Sequence, residues 1–244
     1  ISTPEGVLRS PGYFQRVKDV KILNRTEAEE INLANKRVRV RNVVSDEEQW
    51  LDFDKLALAT GATPVVPSLP GVALDNIYTL HGVEHAEGIR EHVSQNHAKD
   101  VVIVGGGLLG VEMTESLVSA GCRVTLVEKR GQLLDLLDLE MAEHVRRHLE
   151  EKGVRVLLNT EVTGFHGQHS VQTVHTEDGS IPADMVILGT GVTPEVKLAR
   201  DAGLETGPTG ALEVDEHLQT SHPDVYAAGD CAEKRSIVTG EPHY

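Results

Sequence analysis

The sequence predicts an α/β chain, a Rossmann-like parallel sheet with small antiparallel β excursions. Three observations carry this prediction. Between about residues 100 and 160, short apolar runs alternate with segments of helical period, the pattern of a parallel, helix-covered sheet. Residues 101–110 read VVIVGGGLLG, a buried-strand run emptying into a glycine turn. Residues 37–44 and 49–53 alternate apolar and polar side chains around the polar linker 45–48, as a hairpin or small meander does.

Taken in order, residues 1–21 are mixed and turn-rich, with Pro4, Gly6, Pro11 and Gly12. The meander follows, then a short apolar strand at residues 55–59 and a proline-rich connector (Pro64, Pro67, Pro70, Gly71) that suits a domain crossing. Residues 83–93 read as a helix leading into the strand at 101–104. A helix over residues 109–117 and a strand over 123–127 come next. A patterned helix at about 138–152 places Met141, Val145 and Leu149 on one stripe, with Gly153 as its stop. Residues 154–158 form a strand, 161–176 a second antiparallel excursion, and 185–188 a strand ending in Gly189-Thr190-Gly191.

The glycine turn has a chemical reading. Gly105, Gly107 and Gly110 fall in Gly-x-Gly-x-x-Gly spacing between strand and helix, and Glu128 ends the next strand about 20 residues on. Gly105 permits the tight turn, Gly107 lets backbone approach a pyrophosphate, and Gly110 lets the helix pack on its strand. The helix N-terminus presents unpaired N–H groups to phosphate, and Glu128 can accept from ribose hydroxyls. This is a dinucleotide-binding fingerprint.

Composition bounds the partners. Thirty-eight acidic against 23 basic residues give a formal net charge of -15, which argues against nucleic acid or an anionic membrane. No apolar run approaches a membrane span and no leader is visible, so a cytoplasmic protein is expected. Cys122 and Cys231 have no metal spacing and read as packing residues. The pairs His81/His85 and His144/His148 have helical spacing without a carboxylate arranged as a zincin needs, so no metal site is expected. Thr-Gly-x-Thr-Pro occurs twice, at Thr60–Pro64 and Thr190–Pro194. The echo is either coincidence between two strand-turn signals or a sign of two related nucleotide-binding units.

Residues 56–62 (LALATGA), the fingerprint, residues 186–194 and residues 220–230 (TSHPDVYAAGD) occur in one order over nearly the whole chain. That order resembles the two-dinucleotide-binding-domain flavoproteins, the pyridine nucleotide-disulfide oxidoreductase family. The resemblance implies a nicotinamide domain inserted in a partial flavin domain. Residues 1–75 and 205–244 would be flavin-domain pieces, and residues 76–204 the NAD(H)-binding domain. It assigns Gly105, Gly106, Gly107, Leu108, Leu109, Gly110, Glu128, Lys129 and Gly191 to NAD, and Thr60, Gly61, Gly229 and Asp230 to FAD. Asp230 matches the aspartate that bonds the flavin ribityl chain; the alternative is a cap on a helix starting at Cys231. Glu112 matches a glutamate beside the nicotinamide, the catalytic candidate, and equally reads as a helix-surface acid near an N-terminal turn.

The departures from the family shape the expectations. Leu108 stands where the family often has an aromatic residue covering the nicotinamide pocket, so gating should be looser. Lys129 and Arg130 could meet a 2′-phosphate, but Glu128 repels it, and Gly110 is the form associated with NAD. NAD(H) is therefore expected over NADP(H). The flavin's own glycine turn and a redox cysteine are missing from the first 44 residues, so the chain reads as an internal fragment whose FAD is weak or lost. Residues 1–5 (ISTPE) resemble the stretch after the redox cysteine in coenzyme A-disulfide reductases and NADH oxidases. The parent protein is then expected to be an FAD-dependent NAD(P)H oxidoreductase. It would pass electrons to a small disulfide, polysulfide, peroxide or oxygen acceptor, and dimerise through a C-terminal domain. Two alternatives stand beside it: an isolated NAD(H)-binding module, inactive alone, and a ferredoxin- or rubredoxin-type reductase that serves a protein.

Overall fold

A computed structural model describes residues 9–96 and 98–244; the ISTPE stretch at residues 1–5 lies outside the described residues. The chain begins with α1 (Pro11–Lys18), β1 (Thr26–Asn32), β2 (Arg37–Asn42), β3 (Glu48–Asp52), β4 (Leu56–Leu58) and β5 (Ala62–Pro64). It continues with β6 (Ile77–Thr79), α2 (Val83–Asn96), β7 (Asp100–Val104), α3 (Leu108–Ser119), β8 (Arg123–Val127), α4 (Leu139–Glu151) and β9 (Arg155–Leu157). Then come β10 (Val162–His166), β11 (Thr173–Thr176), β12 (Gly179–Pro182), β13 (Met185–Leu188) and β14 (Val192–Pro194). The last elements are α5 (Lys197–Asp201), β15 (Leu212–Glu213), β16 (Val225–Ala227), β17 (Ala232–Arg235) and β18 (Pro242–His243).

Two compact units result. The outer unit joins residues up to 62 with residues 194–244, and the inner unit is residues 63–193. Both crossings fall earlier than the boundaries expected at 75/76 and 204/205. The physical reason is local packing: Leu69, Val72 and Leu74 of the proline-rich connector seal a core of the inner unit, and Val196, Ala199 and Leu204 already belong to the core of the outer unit.

The inner unit is built on a five-stranded parallel sheet in the order β6-β13-β7-β8-β9. Its central strands are buried on both faces, which is why they read as unbroken apolar runs instead of alternating. The two faces are covered differently. Val101, Ile103, Leu126, Met185 and Ile187 pack with Ile89 of α2, Leu117 of α3 and Leu149 of α4. Val102, Val104, Val127, Val186 and Leu188 pack with Phe165, Val174 and Ile181 of the antiparallel meander β10-β11-β12. The expected helix covering is therefore confined to one face, and the predicted excursion supplies the other. On α4, Met141 is exposed and Ala142 takes its place in the buried stripe with Leu149. At 100° per residue, Met141 lies roughly 70° round from the centre of Ala142, Val145 and Leu149.

The outer unit holds the β1-β2-β3 meander, the parallel pair β16-β4 and the small sheet β15-β17-β18. Their shared core includes Ile31, Leu58, Val196, Leu212, Val225 and Ala227. Asp224 buckles this unit: its carboxylate accepts from Lys36 Nζ at 2.6 Å and Lys55 Nζ at 2.8 Å. Those lysines hold it well down, to about 2. Two elements exceed the sequence reading. Helix α1 forms where a turn-rich stretch was expected, capped by Ser10 Oγ, which accepts from the Tyr13 N–H, with Pro11 at its first position. Strand β1, TEAEEIN, is held by β2, whose Arg39 and Arg41 pair with Glu27, Glu29 and Glu30. One reading is overturned: no helix starts at Cys231, because residues 232–235 continue as strand β17.

Candidate functional site

The carboxyl ends of β7, β8, β9 and β13 open into one cavity of about 460 Å³. Its floor is the glycine turn. The Gly105 N–H donates to Val127 O at 2.8 Å, and its φ of +112° lies in a region that suits glycine. A Cβ at Gly105 would strike Gly189 O, and one at Gly110 would strike Gly105 O. These two glycines let β13, β7 and α3 close on one another. Gly107 is different: it is the N-cap residue of α3, has no side chain to cap with, and a Cβ there would meet nothing within 4 Å. The first N–H groups of α3 have no intrahelical partner, so open space lies over a helix end suited to an anion.

Glu128 marks the far end. Its Oε2 accepts from the Gly106 N–H at 2.7 Å and its Oε1 from the Arg130 N–H at 2.8 Å. Each oxygen keeps a second lone pair, so the half-buried carboxylate is oriented and still able to accept. Lys129 and Arg130 follow, and Arg130 is paired with Asp135. The walls come from Val65, Pro67 and Leu69 on one side and Thr160, Glu161 and Val162 on another, with Thr190 and Gly191 closing the cavity beside the glycine turn.

The expected NAD residues thus fall into three groups. Gly105, Gly106, Gly107, Glu128, Lys129 and Gly191 line the cavity. Gly110 is buried beneath the turn and Leu109 half-buried, so they shape it from outside. Leu108 is 58% exposed and Glu112 is exposed one turn further along α3; neither lines the cavity. The Glu112 carboxylate has no hydrogen-bond or ion-pair partner among the described residues, so the helix-surface reading fits the inner unit by itself. Sequence reasoning passed over Thr160, Glu161, Val65 and Pro67. The first two follow β9, the next parallel strand, and the rule that ligands gather at carboxyl ends would have found them. Val65 and Pro67 carried no such signal.

The four expected flavin residues lie in the outer unit. Strands β4 and β16 pair in parallel, Leu58 against Ala227, so Thr60-Gly61 and Gly229-Asp230 leave the same edge side by side. Gly229 and Asp230 are exposed, and the Asp230 carboxylate has no partner among the described residues. The Thr60 hydroxyl donates to Glu195 O at 2.5 Å. This edge can approach a polyol with backbone and one carboxylate, a share of a nucleotide site. Cys122 and Cys231 are both buried; Cys122 Sγ donates to Ala98 O, and burial pushes its thiol up. Among the described residues no cluster of three or more metal-ligating side chains occurs, and no helix is long and apolar enough to cross a membrane.

A parallel sheet with a glycine turn at its carboxyl edge defines a Rossmann-like α/β protein. The chain belongs to the pyridine nucleotide-disulphide oxidoreductase family, whose description matches residues 4–241. It is 35% identical over 237 residues to an NADH oxidase of Methanocaldococcus jannaschii, covering 96% of this chain and 52% of that protein. It is 36% identical over 239 residues to a CoA-dependent NAD(P)H sulfur oxidoreductase of Pyrococcus abyssi, covering 94% of this chain and 51% of the other. A solved NAD-dependent persulfide reductase from A. fulgidus superposes with a TM-score of 0.95 at 37% identity, over 99% of this chain and 44% of that one. The chain spans about half the length of the curated relatives it matches.

Proposed function

We propose that the cavity of the inner unit binds NAD(H), and that the protein to which this chain belongs is a flavin-dependent NAD(P)H oxidoreductase. Its acceptor would be of the cysteine, disulfide or polysulfide type, or peroxide or oxygen. The observation that carries the NAD(H) reading is the pairing of two features in one cavity. An uncapped helix N-terminus sits over open space at Gly107, and a carboxylate pinned by two backbone N–H groups stands at Glu128. The first suits a pyrophosphate and the second a ribose diol. The relatives named for NADH or NAD(P)H oxidation support the same reading.

The nicotinamide, when bound, supplies a hydride that a flavin can accept. This chain's residues bind and orient. Gly107 and the first N–H groups of α3 would face the phosphates, Glu128 would hold the ribose, and Val65, Pro67, Leu69 and Val162 would exclude water from the walls. Thr60-Gly61 and Gly229-Asp230 would approach the flavin, with Asp230 accepting from ribityl hydroxyls. Glu112 would act only on a nicotinamide brought against the exposed side of α3. A thiolate partner is not supplied by Cys122 or Cys231, both buried. The flavin's pyrophosphate cradle would come from residues outside these 244.

Calorimetric titration of the 244-residue chain with NADH and NADPH tests the reading, together with the visible absorbance of the purified protein. One NADH site, weaker NADPH binding and little flavin are expected. No NADH binding by folded protein would sink the cavity assignment. A yellow preparation with one flavin per chain would overturn the proposal that the flavin site is shared with other residues.

A further inference from the structure

We infer that His166 and His175, with Ser180 orienting the second ring, form a binding site for one divalent transition-metal ion of the kind imidazole favours, Zn²⁺ or Cu²⁺. The site lies on the outward face of the β10-β11-β12 meander of the inner unit, and it does not depend on the dinucleotide reading.

The strands set the geometry. Phe165, Val174 and Ile181 are buried in the core beneath the meander, while their neighbours His166, His175 and Ser180 are exposed. The register places Phe165 opposite Val174 and Val174 opposite Ile181, so the three neighbours share the solvent face on three adjacent strands. His175 stands directly opposite Ser180 and diagonal to His166, whose own partner is Thr173. The two rings meet with their centroids 6.0 Å apart and their planes at 67°. A tetrahedral ion with metal–nitrogen bonds of about 2.0 Å needs centroids about 5 Å apart, so a ring movement of about 1 Å completes the pair.

The chemistry of the two rings fits a metal. Ser180 Oγ lies 2.9 Å from His175 Nδ1. With the proton on Nδ1, that ring donates to the hydroxyl oxygen and keeps the Nε2 lone pair for a metal; an outer partner fixing the tautomer in this way is the usual support of a ligating histidine. The His166 ring has no hydrogen-bond partner among the described residues, so either of its nitrogens can ligate. Residues 156–196 contain no lysine or arginine. Glu177 and Asp178, at the tip of the β11-β12 hairpin, have no ion-pair partner among the described residues, so the local charge draws a cation to this face. Two protein ligands leave the remaining positions to water, which makes the site open and exchangeable rather than structural. Sequence spacing points instead to the helical pairs. In one of them His85 Nδ1 already accepts from the His81 N–H at 3.2 Å. His166 and His175 meet only because β10 pairs with β11.

Calorimetric titration of the 244-residue chain with Zn²⁺ and with Cu²⁺, at neutral pH in a non-chelating buffer, tests the inference. One equivalent should bind more tightly than any other, and Cu²⁺ more tightly than Zn²⁺. His166→Ala and His175→Ala should each weaken that equivalent about tenfold or more, and Ser180→Ala about tenfold. The His144→Ala/His148→Ala double variant should leave it unchanged. All five side chains are exposed, so each variant should keep the metal-free Tm of wild type. The paramagnetic resonance spectrum of the one-to-one Cu²⁺ complex should show two coupled nitrogens, and one in either single-histidine variant. The absence of a tight equivalent in wild type refutes the inference, as does one that survives both His166→Ala and His175→Ala. An equivalent lost with His144 and His148 puts the metal on α4 and refutes it as well. An unchanged constant in Ser180→Ala refutes the part given to Ser180.

Discussion

Replacing Glu128 with glutamine isolates what its charge contributes, because size and reach are kept. The carboxylate now satisfies two backbone donors, Gly106 N–H at 2.7 Å and Arg130 N–H at 2.8 Å. A glutamine has one acceptor oxygen, and its amide nitrogen cannot accept. Leaving the buried Gly106 N–H without a partner costs about 1–3 kcal/mol, so the oxygen turns there and the amide faces Arg130 and the ribose. One ribose hydroxyl then loses its acceptor, and the other loses the charge that strengthens its bond. Charge-assisted bonds exceed neutral ones by about 1 kcal/mol each, so the summed loss is about 2 kcal/mol. That corresponds to NADH binding about 30-fold more weakly. NADPH should lose less, because the repulsion between the carboxylate and its 2′-phosphate disappears. Titration calorimetry at neutral pH reads both constants. If NADH binds Glu128→Gln as tightly as wild type, and the NADPH to NADH ratio does not move, Glu128 does not hold the ribose.

Three further outcomes follow from the same geometry. Gly105→Ala combines a φ of +112° with a Cβ aimed at Gly189 O; it should cost at least about 2 kcal/mol, seen as a fall of about 4–8 °C in Tm. Gly107→Ala should do the opposite: Tm stays within a degree or two, since nothing lies within 4 Å of the new Cβ, while NADH binding drops about tenfold or more, and tight binding in this variant would move the pyrophosphate elsewhere. Asp224 is held to about 2, below its ordinary 3.8, by Lys36 and Lys55, so its stabilisation is complete above about pH 4 and is lost as the pH falls toward 2. The Tm difference between wild type and Asp224→Asn should therefore be positive near neutrality, shrink steeply between about pH 4 and pH 2 and vanish below pH 2; a difference as large at pH 2 as at neutrality would show that charge is not its source.

The parts of the fold that were legible in the sequence are those whose burial is nearly complete. Val101, Val102, Ile103 and Val104 are buried on both faces, so the run itself announces a central parallel strand. The glycine turn was legible because Gly105 demands an unusual φ and Gly110 a bare backbone, and the spacing between them is recognisable. Strand β1 was not, because TEAEEIN owes its strand state to Arg39 and Arg41 on the next strand, a tertiary cause invisible to local pattern. Helix α1 did carry a signal, Ser10 before Pro11, but none of its residues is buried, so the periodicity that marks most helices is missing. The cavity walls at Val65 and Pro67 were hidden for a related reason. Prolines that punctuate a connector say nothing about which core the connector lies on.

The repeated Thr-Gly-x-Thr-Pro shows how far such a reading can be trusted. Two explanations were open from sequence: coincidence, or a pair of related nucleotide-binding units. The structure gives both copies one shared geometry. The Thr60 hydroxyl donates to Glu195 O and the Glu195 N–H to Gly61 O, within the outer unit. The Thr190 hydroxyl donates to Val65 O and the Val65 N–H to Gly191 O, within the inner unit. Glu195 and Val65 are the residues that follow the two motif prolines, and proline has no N–H to give. Each Thr-Gly therefore fastens the residue just past the other copy's Thr-Pro, at the two places where the chain passes between units. A motif with that role needs no nucleotide to explain it, so the echo adds no weight to a second cofactor. The flavin proposal stands instead on the parallel register of Leu58 with Ala227, which sets Thr60-Gly61 beside Gly229-Asp230 and leaves the Asp230 carboxylate unpartnered among the described residues.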